Sequence, residues 1–365
     1  MSILGVKEEK RMIKSCDVGS LPYEGEEGKF LEGAKRFTSE TSDDFASFFE
    51  ETVVRTFLDK LKAGIDIPAF PQFRDMNEMF LSIFEGLEKT PVGYVEAGSL
   101  HIKQGKGVLP EVAVIEKNAQ RISTETGKTF QLRVCVTGPY TLASFLPYRN
   151  SQTYKQLGSM LSEIVEKNAF AVKHGKAALV SVDEPLFGVM DDPLIDRGAE
   201  SRETLLDAWE SIMGKAKRRN VETCIHLHCT SNELFWETKS LGIVESHVDD
   251  PLYNVKATRE RLDKQDKLLK VSIATTDFDR LIKGRPSSCR PEDAVADAWK
   301  KISSRTVDPE AYLENVDLMR ERLNRAVRQF GVERVALAGT ECGLRGFPTY
   351  ASAIECLKRV SQATI

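Results

Sequence analysis

Along this chain, short β-branched or apolar runs alternate with longer stretches in which apolar residues recur every three or four positions. Those two periods belong to strands and amphipathic helices, and their repeated alternation predicts β-α units. Eight runs read as strands: 12–19 (MIKSCDVG), 64–70, 130–138, 177–185, 221–229, 242–250, 268–277 and 333–342. Helices are expected at 152–174, 199–218, 252–264, 291–301, 309–330 and 348–361. A further helix is expected in TSDDFASFFEETVVRTFLDKLKAG, where Phe45, Phe48, Phe49, Val53 and Phe57 make one apolar face and Gly64 suits a C-terminal cap. The segment 92–103 (VGYVEAGSLHIK) reads as a hairpin inserted before the third strand. No Pro/Ser-rich linker divides the chain. The expected architecture is therefore α/β, a single (β/α)8 TIM barrel over 1–365 with a small hairpin insertion.

Composition narrows the function. With 365 residues, 41% of them hydrophobic, the chain can bury a large core. A formal net charge of −4 and the lack of a basic run interleaved with aromatics give no field for a polyanion, so no nucleic acid partner is expected. No segment approaches the length of apolar sequence that spans a bilayer, and the N-terminal stretch turns charged by Lys7. A soluble, cytoplasmic protein without membrane contact is expected, with its seven cysteines as reduced thiols.

The predicted strands end in polar or glycine residues: Asp17-Val-Gly-Ser, Thr137-Gly-Pro, Asp183-Glu-Pro, His228-Cys229, Glu245-Ser246, Thr276-Asp277 and Thr340-Glu-Cys342. In a β/α barrel these ends converge on one face, where the chemistry sits. Helix capping accounts for Thr, Ser and Asp there, but poorly for His, Cys and Glu. His228, Cys229, Glu245 and Cys342 offer donors suited to zinc, and no CxxC or HExxH spacing supports them independently. The competing assignment makes the two cysteines small buried hydrophobes.

DVGSLP (17–22), VTGPYTLA (136–143), SVDEP (181–185), IHLHC (225–229), IVES (243–246) and GTECGLRGFPTYASAIECLKRV (339–360) together resemble the catalytic barrel of cobalamin-independent methionine synthase, in the single-barrel archaeal-type form. The motifs occur in the family's order across nearly the whole chain. The resemblance implies a methyltransferase of methionine biosynthesis that transfers a methyl group to homocysteine, with one zinc ion held by His228, Cys229, Glu245 and Cys342. The family writes His-x-Cys where His228 and Cys229 are adjacent, and adjacent side chains on a strand face opposite ways, so a bend or bulge is required; His226 and Cys224 share a face with His228 and remain alternates.

The resemblance also implies that Asp183 receives the substrate ammonium and that the Gly19-Ser20 backbone seats its carboxylate. Asp183 has a competing assignment as a helix cap. Gln72 lies where the family has carboxylates, Thr137 is a candidate pocket wall, and Glu184 suits a supporting ion-pair role beside the substrate. The loop ATTDFDRLIKGRPSSCRPED holds no histidine to protonate a departing folate, which favours methylcobalamin or another methylated corrinoid, carried by a corrinoid protein, as donor. Asp277 is a candidate catalytic acid there, with a cap role competing. Rival readings are a zinc enzyme methylating coenzyme M or another small thiol, a zinc-free barrel resembling uroporphyrinogen decarboxylase, and a non-catalytic zinc-binding barrel.

Overall fold

The computed structural model describes residues 13–39, 41–91, 93–286 and 290–364. Met12, Val92 and Cys289, which fall within predicted segments, lie outside them. The strands are β1 (Lys14–Cys16), β2 (Phe84–Thr90), β3 (Gly93–Ile102), β4 (Phe130–Thr137), β5 (Ala171–Val172), β6 (Gly175–Glu184), β7 (Glu222–Leu227), β8 (Ile243–Glu245), β9 (Leu268–Ala274) and β10 (Val335–Thr340). Seven of them form a parallel sheet in the order β1-β10-β9-β8-β7-β6-β4.

The eighth stave is the predicted 64–70 run, displaced toward 67–72, and it is held by isolated parallel bridges: Cys16 to Ile67 and Ser20 to Gln72 on one side, Ala69 to Arg133 on the other. Two features keep it from forming a regular ladder. Pro68 has no N–H to donate, and the Ala69 N–H goes to Asp17 Oδ1 at 2.7 Å instead of to a neighbouring strand. The barrel expected from the sequence is thus present and nearly closed.

Helices wrap the staves near the predicted positions. Asp44–Lys62 starts where the Asp43 carboxylate accepts from the Phe45 and Ala46 N–H groups. Its inward face buries Phe49, Val53 and Phe57 completely, whereas Phe45, in the exposed first turn, is 39% exposed. Gly64, at φ +93°, follows the helix as the terminating residue. Elsewhere, 152–174 resolves into the helix Ser151–Asn168 and the short strand β5, and 309–330 into a 3-10 turn, Pro309–Tyr312, followed by the helix Val316–Phe330. The hairpin is larger than its sequence suggested, because β2 pairs antiparallel with β3.

Side chains alternate along each stave, and this alternation sets the chemistry of the interior. Cys16, Ile67, Leu179, Cys224, Ile243 and Leu337 form one buried apolar cluster contributed by six staves. Two positions further along, the same faces present Ser181, His226 and Glu245; two positions beyond that come Asp183, His228 and His247. The barrel therefore changes from apolar to charged toward its C-terminal mouth.

Candidate metal centre

Three of the chain's five histidines meet at that mouth. One donor atom from each of His226, His228, His247 and Cys342 lies within 4.8 Å of every other. Cys342 Sγ is 3.5 Å from His228 Nε2, and the His228 and His247 ring centroids are 4.2 Å apart. His226 is buried and the other three are partly buried. His226 Nε2 and His247 Nε2 are buried without a hydrogen-bond partner, and such orphaned ring nitrogens facing a thiol are what a bound cation would satisfy. The donors present therefore fit zinc.

Beneath the cluster lies a buried ion network. Arg133 donates from Nη2 to Glu245 Oε1 at 2.5 Å and from Nη1 to Oε2 at 3.1 Å, with a further bond from Nη2 to Ser181 Oγ at 2.8 Å. Lys270 Nζ stands 3.3 Å from Glu245 Oε2. His226 Nδ1 lies 2.7 Å from Oε1, close enough for strong attraction although not aligned as a hydrogen bond. Burial opposes ionisation of Glu245, but Arg133 and Lys270 hold its carboxyl well below the usual range. Burial also pulls His226 down, yet its contacts with Cys342 and Glu245 win and raise it to about 9. Burial, reinforced by the neighbouring imidazoles, takes His228 down to about 3 and His247 to about 4, so both offer neutral rings at neutral pH.

Of the four ligands expected from the sequence, the structure brings His228 and Cys342 into the converging group. Cys229 sits one position out of phase with His226 and His228, and its sulfur is not part of that group. Glu245 adjoins the group through His226 while both its oxygens are engaged by cations. In their places stand His226, one of the sequence alternates, and His247, which the sequence reading did not single out. His226-Leu227-His228 thus carries the x-spaced pair of the family pattern with histidine in the cysteine position.

The remaining expected residues surround this mouth or support it. No helix begins after Asp183, where residues 185–189 form turns, so its capping assignment is not what the fold uses. Its buried Oδ1 accepts from Ser181 Oγ at 2.6 Å and is 3.9 Å from Arg133 Nη2. Burial raises the Asp183 carboxyl above its ordinary value, against the pull of His226 and Arg133.

Glu184, one position out of phase, faces the helix layer. It accepts from Tyr140 N at 3.0 Å, Thr141 N at 2.7 Å and Trp209 Nε1 at 2.8 Å, which makes it a brace for the wall rather than a substrate contact. Asp277 is exposed and caps the helix Phe278–Lys283 through Arg280 N at 3.1 Å, the competing role weighed for it from sequence. Thr137 Oγ1 donates to Met76 O at 2.6 Å.

Gly19 has φ +126°, and a side chain there would crowd Gln72, whose Cδ is 2.8 Å from the position a Cβ would take. Lys60, fully buried, fixes this loop by donating to Asp17 Oδ2 at 2.7 Å and to the carbonyls of Gly19 and Ala69 at 3.0 Å each. Leu344 N donates to Ser20 O at 2.8 Å, which joins the loop to the segment after Cys342. Glu341 performs a similar task on the other side, accepting from Thr276 N at 2.8 Å and from Val248 N at 3.0 Å. Neither Lys60 nor Glu341 was anticipated in these supporting roles, since both depend on contacts between distant parts of the chain.

No protein-family model matches the chain. Over 150 residues it is 23% identical to a methionine synthase of Saccharolobus solfataricus and to another of Sulfurisphaera tokodaii. Each match covers 40% of this chain and 45% or 44% of the relative, so the chain spans under half the length of the relatives it matches. Two solved structures share the fold over nearly the whole chain. A B12-independent methionine synthase from Shewanella sp. W3-18-1, in complex with selenomethionine, superposes with a TM-score of 0.59 at 14% identity, covering 97% of both chains. A protein described as a putative vitamin-B12 independent methionine synthase from Listeria monocytogenes gives 0.57 at 12%, covering 95% of both. The chain is thus locally similar in sequence to methionine synthases and shares its whole-chain barrel fold with the two B12-independent structures.

Proposed function

We propose that the chain is one zinc-dependent S-methyltransferase unit that moves a methyl group onto the sulfur of homocysteine, forming methionine. The observation that carries this reading is the convergence of three imidazoles and one thiol at the barrel mouth, beside the buried carboxylate of Asp183. Zinc, when bound there, supplies deprotonation of the acceptor thiol near neutral pH, where a free thiol is mostly protonated.

The chain's own residues do the rest. Ser181 and Arg133 both engage Oδ1 of Asp183, which leaves Oδ2 to receive the substrate ammonium. The Gly19-Ser20 backbone, locked by Lys60 and Leu344, forms the seat for its carboxylate. In the transfer a sulfur–methyl bond forms as the donor's bond to methyl breaks, and the electron pair of the broken bond stays with the donor.

The donor is proposed to be a methylated corrinoid, free methylcobalamin or one carried by a corrinoid protein. Support comes from the loop after β9, where Asp277 is committed to a helix cap and no histidine occurs, so that loop supplies no dedicated acid for a departing folate. That the structural neighbours are described as B12-independent weighs toward methylfolate. The test offers zinc-loaded protein each donor in turn, with homocysteine and coenzyme M as rival acceptors. Methionine formed from methylcobalamin supports the whole reading. Methionine formed only from methylfolate removes the donor, transfer only to coenzyme M removes the acceptor, and zinc binding without turnover leaves a non-catalytic metalloprotein.

A further inference from the structure

We infer that His247 is a metal ligand and that Glu245 is held out of the metal's coordination sphere by Arg133 and Lys270, giving a centre of three imidazoles and one thiolate: His226, His228, His247 and Cys342. This rests on the zinc reading above and specifies its donor set, which differs from the His, Cys, Glu and Cys set implied by the family resemblance.

Two independent features lead to it. The first is the occupation of Glu245. Arg133 spans both carboxylate oxygens, Lys270 adds a second cation to Oε2, and Glu245 and both basic side chains are fully buried. To bind a metal, the carboxylate would have to leave two desolvated cations uncompensated, an arrangement far costlier than retaining the network. Where it stands, Glu245 instead faces His226 Nδ1 at 2.7 Å and leaves Nε2 of that ring, buried and unpartnered, for the cation. A carboxylate behind a ligating imidazole is a common way to orient the ring and raise its basicity.

The second feature is His247, two positions beyond Glu245 and in the same phase along the chain. Its Nε2 is buried without a partner, and its ring is 4.2 Å from that of His228. The adjacent residue is pinned, because Val248 N donates to Glu341 Oε2 at 3.0 Å while Glu341 Oε1 takes Thr276 N. The loop that carries His247 is therefore tied to the end of β10, one residue before Cys342. The charge consequence is direct. One thiolate and three neutral rings contribute a formal charge of −1 against −3 for His, Cys, Glu and Cys, so a dication retains a net positive charge and attracts an anionic sulfur more strongly.

X-ray absorption at the zinc edge of the holoprotein, together with zinc affinity measured by chelator competition, tests the assignment. The expected spectrum shows one sulfur at about 2.3 Å, three nitrogens at about 2.0–2.1 Å, and the outer-shell scattering of three imidazoles. His247→Ala should weaken zinc binding more than tenfold with an unchanged circular dichroism spectrum of the metal-free protein. Cys229→Ser should stay within twofold of the parent and keep the sulfur count at one. Two sulfurs, two imidazoles with an added oxygen, or parental affinity in His247→Ala would overturn the donor set while leaving the zinc enzyme standing. A parent protein that takes up no zinc would overturn both.

Discussion

Replacement of Arg133 by Met probes the ion network on which the site rests. Methionine keeps much of the length and apolar volume of the side chain but removes two bonds to Glu245 and one to Ser181, all fully buried. Breaking a buried pair by deleting one partner costs about 3–5 kcal/mol, because the survivor is left charged and desolvated. Lys270, 3.3 Å from Oε2, still covers part of the carboxylate, which favours the lower end, about 3 kcal/mol. A 365-residue chain has an unfolding entropy near 0.8 kcal/mol/K, so the midpoint should fall by about 4 °C.

The pH dependence follows from the direction of the shift. Glu245 is held well below its unfolded value, so its contribution is present above the unfolded carboxylate range and is lost as pH falls through the folded value. In the variant the carboxyl protonates at a higher pH, and the deficit should be larger at pH 7 than at pH 5. Calorimetry of metal-free protein in chelator, at both values, measures this without interference from zinc. A decrease below about 1 °C at pH 7, or a deficit that grows toward pH 5, would refute the claim that Arg133 compensates a buried charge.

Cys342→Ser should abolish zinc retention and turnover together; unchanged metal content by elemental analysis would remove that cysteine from the site. Asp277→Ala should cost about 1 kcal/mol as a lost helix cap and leave turnover within twofold, whereas a loss of several hundredfold would restore it as a catalytic acid. Burial raises Glu184 to about 7 despite its three N–H donors, so the folded state favours the protonated form and stability declines as pH rises from about 4.5 to 7, by about 3 kcal/mol. Glu184→Gln lacks that titration, so its stability deficit in urea unfolding should be smaller by about that amount at pH 7.5 than at pH 4.5, and an equal deficit at both would refute the shift.

The barrel was legible because each stave pairs an apolar run with a polar end, and those runs mark β1, β4 and β6 to β10 directly. The 67–72 stave was placed by its apolar content, but its broken ladder depends on Pro68 and on the reach of Asp17, a contact between distant parts of the chain. Within the site, the sequence contained a conflict that alternation could resolve. Adjacent His228 and Cys229 cannot both face inward without a bulge, whereas His226 and His228 can, and β7 runs regularly through Leu227. His247 lay hidden for a different reason: it follows a strand of only three residues, and nothing local says that its loop folds back toward Cys342. Arg133 and Lys270 sit in runs, FQLRVCV and LLKVSIA, that do not say which way the charge faces; only the closed barrel shows that it points in and is neutralised across it.

The same alternation explains why a charged interior is tolerated. A barrel filled only with apolar layers would leave Glu245 no partner, and a lone buried carboxylate would take up a proton rather than stay ionised. Here the apolar layer of Leu179, Cys224, Ile243 and Leu337 closes the bottom, and above it Arg133 and Lys270 face Glu245 and Asp183, two formal positive charges against two negative. Burial, reinforced by His226 and, at His247, by Lys270 and Arg280, keeps His228 and His247 unprotonated, while Glu245 below raises His226. The donor face at the mouth is thus a consequence of the layers below it. A change that unbalances the middle layer should alter metal affinity without touching a ligand. Lys270→Met supplies that change, leaving Glu245 partnered by Arg133 alone and more negative toward His226, and it should raise the basicity of that ring. Titration of the metal-free protein by NMR should show the His226 resonance moving only at higher pH than in the parent; an unmoved His226 with lowered zinc affinity would instead mean that Lys270 acts through the Thr340 carbonyl it contacts at the end of β10.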